Sequence, residues 1–317
     1  MIRALALLAM LAAAPAIAQT PERPDITRPD ITRADITIAI AGASNFAAAY
    51  FAAEHGQFAA HGLHARIVMI NEGSTAIAGL MSDSFQIAGP TSTVFLQAID
   101  SGLDLVVAAP AYAFPTPSQV GILAAPAAHI AGPADMVGRR IGTPGVGGIL
   151  DILARAWLID AGIDPARVIT IELAFPLMAD ALRAGQVDAV IANEPIYPRL
   201  IEQHLGVPLL DMRVMPTAGT IGGMYATTRD FATRNPARLA ALRAALADAV
   251  AAIAADPAAG KATMARVLKL PPDIAGLLTM PNLTTRAAPD SLDYWVGLMR
   301  AQHLLSRQID ARATIYP

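Results

Sequence analysis

The 317 residues include no cysteine. That excludes disulfides, thiolate nucleophiles, cysteine-ligated zinc or iron–sulfur centres and a cysteine-borne lipid anchor, so the core must hold the fold alone. Aromatic residues make up 5% of the chain and charged residues 15%, which leaves an aliphatic core and a sparsely charged surface. The formal net charge of −3 gives no reason to expect nucleic acid or an anionic membrane as partner. No apolar run reaches the ~20 residues that span a bilayer. The hydrolase and metalloprotease signatures G-x-S-x-G and H-E-x-x-H are absent, and the six histidines are scattered. His61-Gly62-Leu63-His64 straddles a glycine at an expected helix end and reads as solvated surface. No metal, cofactor or catalytic residue is expected.

What is present starts with MIRALALLAMLAAAPAIAQT. Arg3 supplies a positive n-region, Ala4 to Ala14 an apolar run, and Ala16-Ile17-Ala18 a small-x-small cleavage site. Residues 1–18 are therefore expected to be a signal peptide cleaved after Ala18, which delivers a periplasmic protein. Two copies of PDITR and a partial third follow, from Pro24 to Thr37. Pro24 and Pro29 forbid a helix interior, so residues 19–34 read as an extended, repetitive linker, either a spacer or a recognition tail.

From Asp35 the chain alternates short apolar runs with helical patterns. Strands are expected near 36–41, 65–70, 85–88, 104–109, 140–143, 168–173, 188–192 and 207–210. Helices fall between them near 46–60, 74–82, 91–101, 148–161, 176–184 and 195–204. This is the rhythm of parallel βαβ units, with strands covered on both faces. Two stretches share one layout of helix, turn and short strand, LMSDSFQIAGP (80–90) and AGQVDAVIANEP (184–195), which points to two similar lobes. After residue 225 an amphipathic helix begins at NPARLAALRAALADAVAAIAAD, with Asn235 as its cap and Pro236 in its first turn. Proline- or glycine-rich seams at 112–124 and 220–228 divide the chain into one lobe of 35–118 with 225–317 and another of 119–224. The fold class is α/β, two lobes with a ligand cleft and two crossovers.

In such sheets ligands settle beyond the carboxyl ends of strands, at the starts of the following helices. Four junctions qualify. Ser44, Asn45 and Phe46 follow the first strand, and Thr91 and Ser92 follow the third. In the middle section GTPGVGGIL (142–150) offers Gly145, Gly147 and Gly148, and Glu194 follows the strand at 188–192. The glycine loop fails the G-x-G-x-x-G fingerprint, because Leu150 takes the last position. It reads either as an anion cradle of main-chain N–H groups or as a tight turn without a ligand. Glu194 either stabilises its helix dipole or selects a donor on the ligand. Tyr112, Phe46 and Tyr225 are candidates for apolar walls and equally for plain packing. An acid–base pair of Asp188 and Glu194 is the rival, enzymatic reading; it is weak, because the two flank opposite ends of one strand.

Three stretches together carry a family likeness: AAYFAAEHGQFAAHGLHARI (48–67), GRRIGTPGVGGILDILARAWLIDAGIDPARV (138–168) and MADALRAGQVDAVIANEP (178–195). With these the chain resembles the periplasmic substrate-binding proteins of ABC importers for nitrate, sulfonates and taurine, and their NMT1/THI5-like relatives. The resemblance implies a type II periplasmic binding fold and a monomer that closes over one small-molecule ligand. It also implies an inner-membrane ABC permease and its ATPase as partners. A small organic anion or zwitterion is the ligand so implied, with a thiamine-precursor pyrimidine or another heterocycle as the alternative, and a periplasmic sensory module as the alternative to import. The likeness puts Ser44, Asn45, Phe46, Thr91, Ser92, Gly147, Gly148 and Glu194 at the cleft. One departure stands out: where the family usually has glycine and aspartate before the first-lobe strand, this chain has Asp83 and Gln86, whereas the second lobe keeps Gly185 and Asp188.

Overall fold

The structure, a computed structural model, describes residues 35–70, 73–114, 120–193, 196–209, 216–270, 275–276 and 278–317. The expected signal peptide and linker lie outside these residues. Among the described residues no helix is long and apolar enough to cross a membrane.

Ten strands form two five-stranded sheets. The first holds Ile36–Ala41 (β1), Ala65–Ile70 (β2), Ile87–Ala88 (β3), Leu105–Ala113 (β4) and Ile221–Thr228 (β10). The second holds Val120–Ala124 (β5), Arg140–Thr143 (β6), Ile169–Glu172 (β7), Ala189–Asn193 (β8) and Val207–Leu209 (β9). Their orders, β2-β1-β3-β10-β4 and β7-β6-β8-β5-β9, are the same pattern twice. In each sheet a parallel trio is followed by one antiparallel strand and then a last strand. The antiparallel members, β5 and β10, are the strands first made on arrival from the other sheet. Neither is among the eight strands expected from the βαβ rhythm: both fall in the expected seams at 112–124 and 220–228, and each adds an antiparallel member to its sheet. Hydrophobicity marks a buried strand but carries no direction, and a chain entering from a neighbouring sheet need not arrive through a crossover helix. The expected division at residue 224 falls inside β10, which already pairs with β4 at Ile221.

Helices cover the sheets much as their apolar spacing dictates: Ala47–Glu54 (α1), Gln57–Ala60 (α2), Gly73–Met81 (α3), Ser92–Asp100 (α4), Ile149–Asp160 (α5), Met178–Arg183 (α6) and Ile196–Glu202 (α7). The single helix expected over 46–60 is broken at Gly56, where the backbone is left-handed. Arg229–Arg234 (α8), Pro236–Ala255 (α9), Pro257–Val267 (α10) and Asp293–Ala301 (α11) complete the set considered below. Leu239, Leu242, Leu246 and Ile253 bury the inner stripe of α9. Asn235 does not cap α9 with its side chain. Its Nδ2 donates instead to the Phe231 carbonyl at 3.0 Å, which also accepts the Asn235 N–H at 2.9 Å, so the residue closes the end of α8.

The turn before β3 resolves the Asp83/Gln86 departure. Gly185 is left-handed with φ 63°, and Asp83 adopts the same conformation with φ 57°. Asp188 Oδ2 accepts the Arg140 N–H at 2.8 Å while the Asp188 N–H donates to the Arg140 carbonyl at 2.9 Å. Gln86 does the same on the other sheet: its Oε1 accepts the Thr37 N–H at 2.9 Å and its N–H donates to the Thr37 carbonyl at 3.0 Å. A neutral amide thus replaces a carboxylate with the pairing intact. Arg140 adds a two-pronged contact to Asp188, Nε to Oδ2 at 3.0 Å and Nη2 to Oδ1 at 2.9 Å, which the first sheet lacks.

One apolar cluster runs from α4 (Phe95, Leu96) through α11 (Trp295, Met299) to α5 (Ile149, Ile152, Leu153) and so joins the covering layers of both sheets. Trp295 sits where the chain changes sheets. Its ring lies 5.8 Å from Phe114, just before the first passage, and its Nε1 donates to the Ile221 carbonyl, just after the second, at 2.8 Å. The two passages are also paired to each other, Phe114 N–H to Thr220 O at 2.9 Å and Gly219 N–H to Phe114 O at 3.1 Å.

Candidate functional site

β1 ends at Ala41, and a 3-10 turn of Ser44–Phe46 leads into α1. β3 ends at Ala88, and Gly89-Pro90-Thr91 leads into α4. These junctions adjoin: the Phe46 ring packs where a Cβ on Gly89 would stand, within 2.8 Å of it. Ser44, Asn45 and Thr91 are half-buried, with the Thr91 and Thr93 hydroxyls 3.2 Å apart. Thr91 also bridges Gly223 in β10. These three polar groups stand at two neighbouring strand ends of the first lobe, the candidate rim.

The other residues expected there are placed differently. Ser92 is fully buried and its hydroxyl donates to the Ile221 carbonyl at 2.5 Å, so it fastens α4 to β10 and offers nothing to a ligand in this arrangement. Phe46 and Tyr225 are buried edge to face at 5.8 Å, a core contact and not a wall. Burial pushes the Tyr225 phenol up, opposed by the Ala49 backbone nearby, and among the described residues its oxygen makes no hydrogen bond of full geometry. Tyr112 is half-buried over Gly222 and Gly223, whose missing side chains admit the ring: a Cβ on Gly222 would lie 2.2 Å from Tyr112 Cε2. Burial raises its phenol as well. All three aromatics serve packing: Tyr112 lies on Gly222 and Gly223, Phe46 on Gly89, and Tyr225 against Phe46.

On the second lobe the glycine loop connects β6 to α5, with Gly147 left-handed (φ 74°) as its turning point. Three of its donors are already taken. The Gly147 N–H donates to Asp151 Oδ2 at 2.8 Å, the Val146 N–H to Glu172 Oε2 at 3.3 Å, and the Gly148 N–H to the Gly145 carbonyl at 3.1 Å. Asp151 is 2% exposed and also accepts Arg155 Nε at 2.9 Å. The cradle expected for an anion is therefore filled by the chain's own carboxylates. An anion placed there would displace a hydrogen-bonded carboxylate and meet its charge. Asp151 stands at the third position of α5, where a carboxylate can reach back to the N–H groups ahead of the helix. An acidic residue three places beyond a Gly-Gly pair is the sequence signal that would have revealed it.

The structure brings the two lobes together at this loop. Gln97, in α4, donates Nε2 to the Gly147 carbonyl at 3.3 Å. Gln302, just beyond α11, donates Nε2 to the Ile152 carbonyl of α5 at 2.9 Å. Gln97 has no sequence signal, since a polar residue inside an amphipathic helix reads as surface. Glu194 lies outside the described residues. Asp188, the other member of the acid–base pair considered above, is held by Arg140 at the start of β8; those hydrogen bonds keep its carboxyl below the usual carboxylate range. Two surface hollows, one between α6 and α7 and one beside Arg243, are lined by none of the expected residues.

The architecture is that of periplasmic binding proteins. It is similar to the alkanesulfonate-binding protein SsuA of Xanthomonas axonopodis pv. citri, at 22% identity over 89% of this chain and 97% of that one, with a TM-score of 0.70. The periplasmic aliphatic sulphonate-binding protein SsuA of Escherichia coli is similar at 21% identity over 89% and 97%, with a TM-score of 0.72. The nitrate-binding protein NrtA of Synechocystis PCC 6803 is similar at 16% identity over 88% and 84%, with a TM-score of 0.66. At these identities the likeness is one of fold. Among curated proteins no sequence matches. A family model described as NMT1/THI5 like matches residues 43–260, more than half of the sequence, and the chain belongs to that NMT1/THI5-like family.

Proposed function

We propose that this is the extracytoplasmic solute-binding component of an ABC importer, which takes one small organic molecule between its lobes and hands it to an inner-membrane permease and ATPase. In this reading the protein is a periplasmic monomer, exported through residues 1–18, and it binds its solute without transforming it. The observation that supports the reading is the approach of α4 to the glycine loop, Gln97 Nε2 to the Gly147 carbonyl at 3.3 Å, which joins the helix that begins after Thr91 to the loop that opens α5.

The same loop narrows the ligand class. In this reading the second lobe has few free donors, because Asp151 and Glu172 hold the Gly147 and Val146 N–H groups; its loop carbonyls and the exposed Glu172 carboxylate make it the acceptor side, and the hydroxyl and amide groups of Ser44, Asn45 and Thr91 are assigned to the other side. A zwitterion of the taurine type, with its anionic end on the first lobe and its ammonium on the second, satisfies both sides better than nitrate does. A heterocycle gains less support, because Phe46 and Tyr225 pack against each other and offer no stacking face.

The test is a thermal-shift comparison of taurine, ethanesulfonate and nitrate. A ligand at 100 times its Kd stabilises the folded state by about 2.7 kcal/mol. Taurine is expected to raise the melting temperature and ethanesulfonate, which lacks only the amine, to do so much less. Equal shifts from the two would refute the acceptor role given to the second lobe. No shift from any sulfonate, amino sulfonate or carboxylate would refute solute capture of this class.

A further inference from the structure

We infer that the groove between α6 and α7 is a second binding site, separate from the space between the lobes, for an amphiphilic organic anion with an apolar body and a single anionic head. The two helices lie side by side on the second sheet, and their sequences account for the gap. Met178, Ala181 and Leu182 point α6 into the core, which leaves Ala179 and Arg183 facing α7. On α7, Leu200 points inward, and Ile196 and Arg199, three residues apart, line the side toward α6. Ala179 is too small to close the space, and a hollow of about 310 Å³ remains, with Phe175 and Ile196 in its lining.

The charges around it are unequal. Asp180 is paired to Arg183 at 2.5 Å, whereas Arg199 has no ion-pair partner among the described residues. Arg199, exposed and without an ion-pair partner among the described residues, beside the apolar Phe175 and Ile196 suits a ligand that brings an anionic head and a hydrophobic body together, and the volume admits an aryl group with its sulfonate or carboxylate. Inorganic anions satisfy only the arginine. Uncharged hydrocarbons satisfy only the apolar lining.

The probe is 1-anilinonaphthalene-8-sulfonate, followed by fluorescence titration of the full chain. Arg199→Glu and Ala179→Trp should each weaken its binding at least tenfold, one through charge and the other by filling the gap. Gly147→Trp, on the glycine loop, should leave it unchanged, and sodium sulfate at equal concentration should not compete. Unchanged affinity in both groove variants, or an equal loss in Gly147→Trp, would overturn the assignment. Taurine stabilisation measured on Arg199→Glu reports separately on the space between the lobes, so either site can fail without the other.

Discussion

Replacing Trp295 by phenylalanine tests whether α11 fixes the point at which the chain changes sheets. Trp295 is fully buried, packs at a tilt against Phe114 and edge to face against Tyr294, and donates to the Ile221 carbonyl that Ser92 also reaches. Phenylalanine keeps the aromatic contact with Phe114 and loses the Nε1 donor, at about 1 kcal/mol for a hydrogen bond in which the acceptor retains another partner. The smaller ring leaves a void of a few tens of Å³, which at about 24 cal/mol per Å³ adds on the order of 1 kcal/mol. The expected destabilisation is therefore about 2 kcal/mol, read from urea unfolding followed by circular dichroism. Trp157, the only other tryptophan, lies in α5 and gives a fluorescence signal from the second lobe in the same variant. Ser92→Ala should cost about 1 kcal/mol alone. The double variant should cost more than the two singles together, because it withdraws both side-chain donors from one carbonyl. Additivity within about 0.3 kcal/mol would refute the shared-acceptor argument. A cost below about 0.5 kcal/mol for Trp295→Phe would refute the role given to α11.

Asp188→Asn should flatten the acid limb of the stability profile. The Arg140 hydrogen bonds lower the Asp188 carboxyl in the folded state, so its contribution is present above the unfolded value of about 3.9 and is lost as pH falls through the folded value. Urea midpoints of wild type and variant should converge below pH 4; a parallel offset at every pH would contradict this. Asp83→Gly should stabilise the protein by up to about 1 kcal/mol, since glycine takes the left-handed φ of 57° without steric cost; a fall in melting temperature would show that the Gln86 contact to Asp83 outweighs it. Gly222→Ala should destabilise by roughly 1–3 kcal/mol, because its Cβ would stand 2.2 Å from the Tyr112 ring, and near-UV circular dichroism should report the displaced tyrosine.

Strand positions were largely legible in the sequence. β1, β2 and β6 begin and end where the apolar runs do, since turn residues flank each one. The repeated helix–turn–strand layout likewise foretold two sheets of one design. Strand direction was not legible for β5 and β10, because it is set by where the chain comes from and not by the residues in the strand. The site was legible in part. Thr91 and Gly147 stand at helix starts as strand-end reasoning requires, and α4 does meet the glycine loop. Ser92 and Tyr225 were candidates by position alone, and tertiary contacts claimed both: the Ile221 carbonyl takes the hydroxyl, and Phe46 takes the ring. Asp151 was overlooked for the opposite reason, as an acidic residue inside a helix start reads as dipole compensation until its contact to Gly147 is seen.

The interleaved strand order has a consequence for how the chain is made. All five strands of the second sheet lie in one uninterrupted segment, Val120 to Leu209, so that half can finish as soon as it is synthesised. β3 and β4 must instead wait, with their facing edges open, until β10 emerges after everything in the other sheet. A nascent chain halted near residue 209 would carry one completed half beside an unzipped one, and those two bare edges are where a holdase would be needed and where misassembly would start.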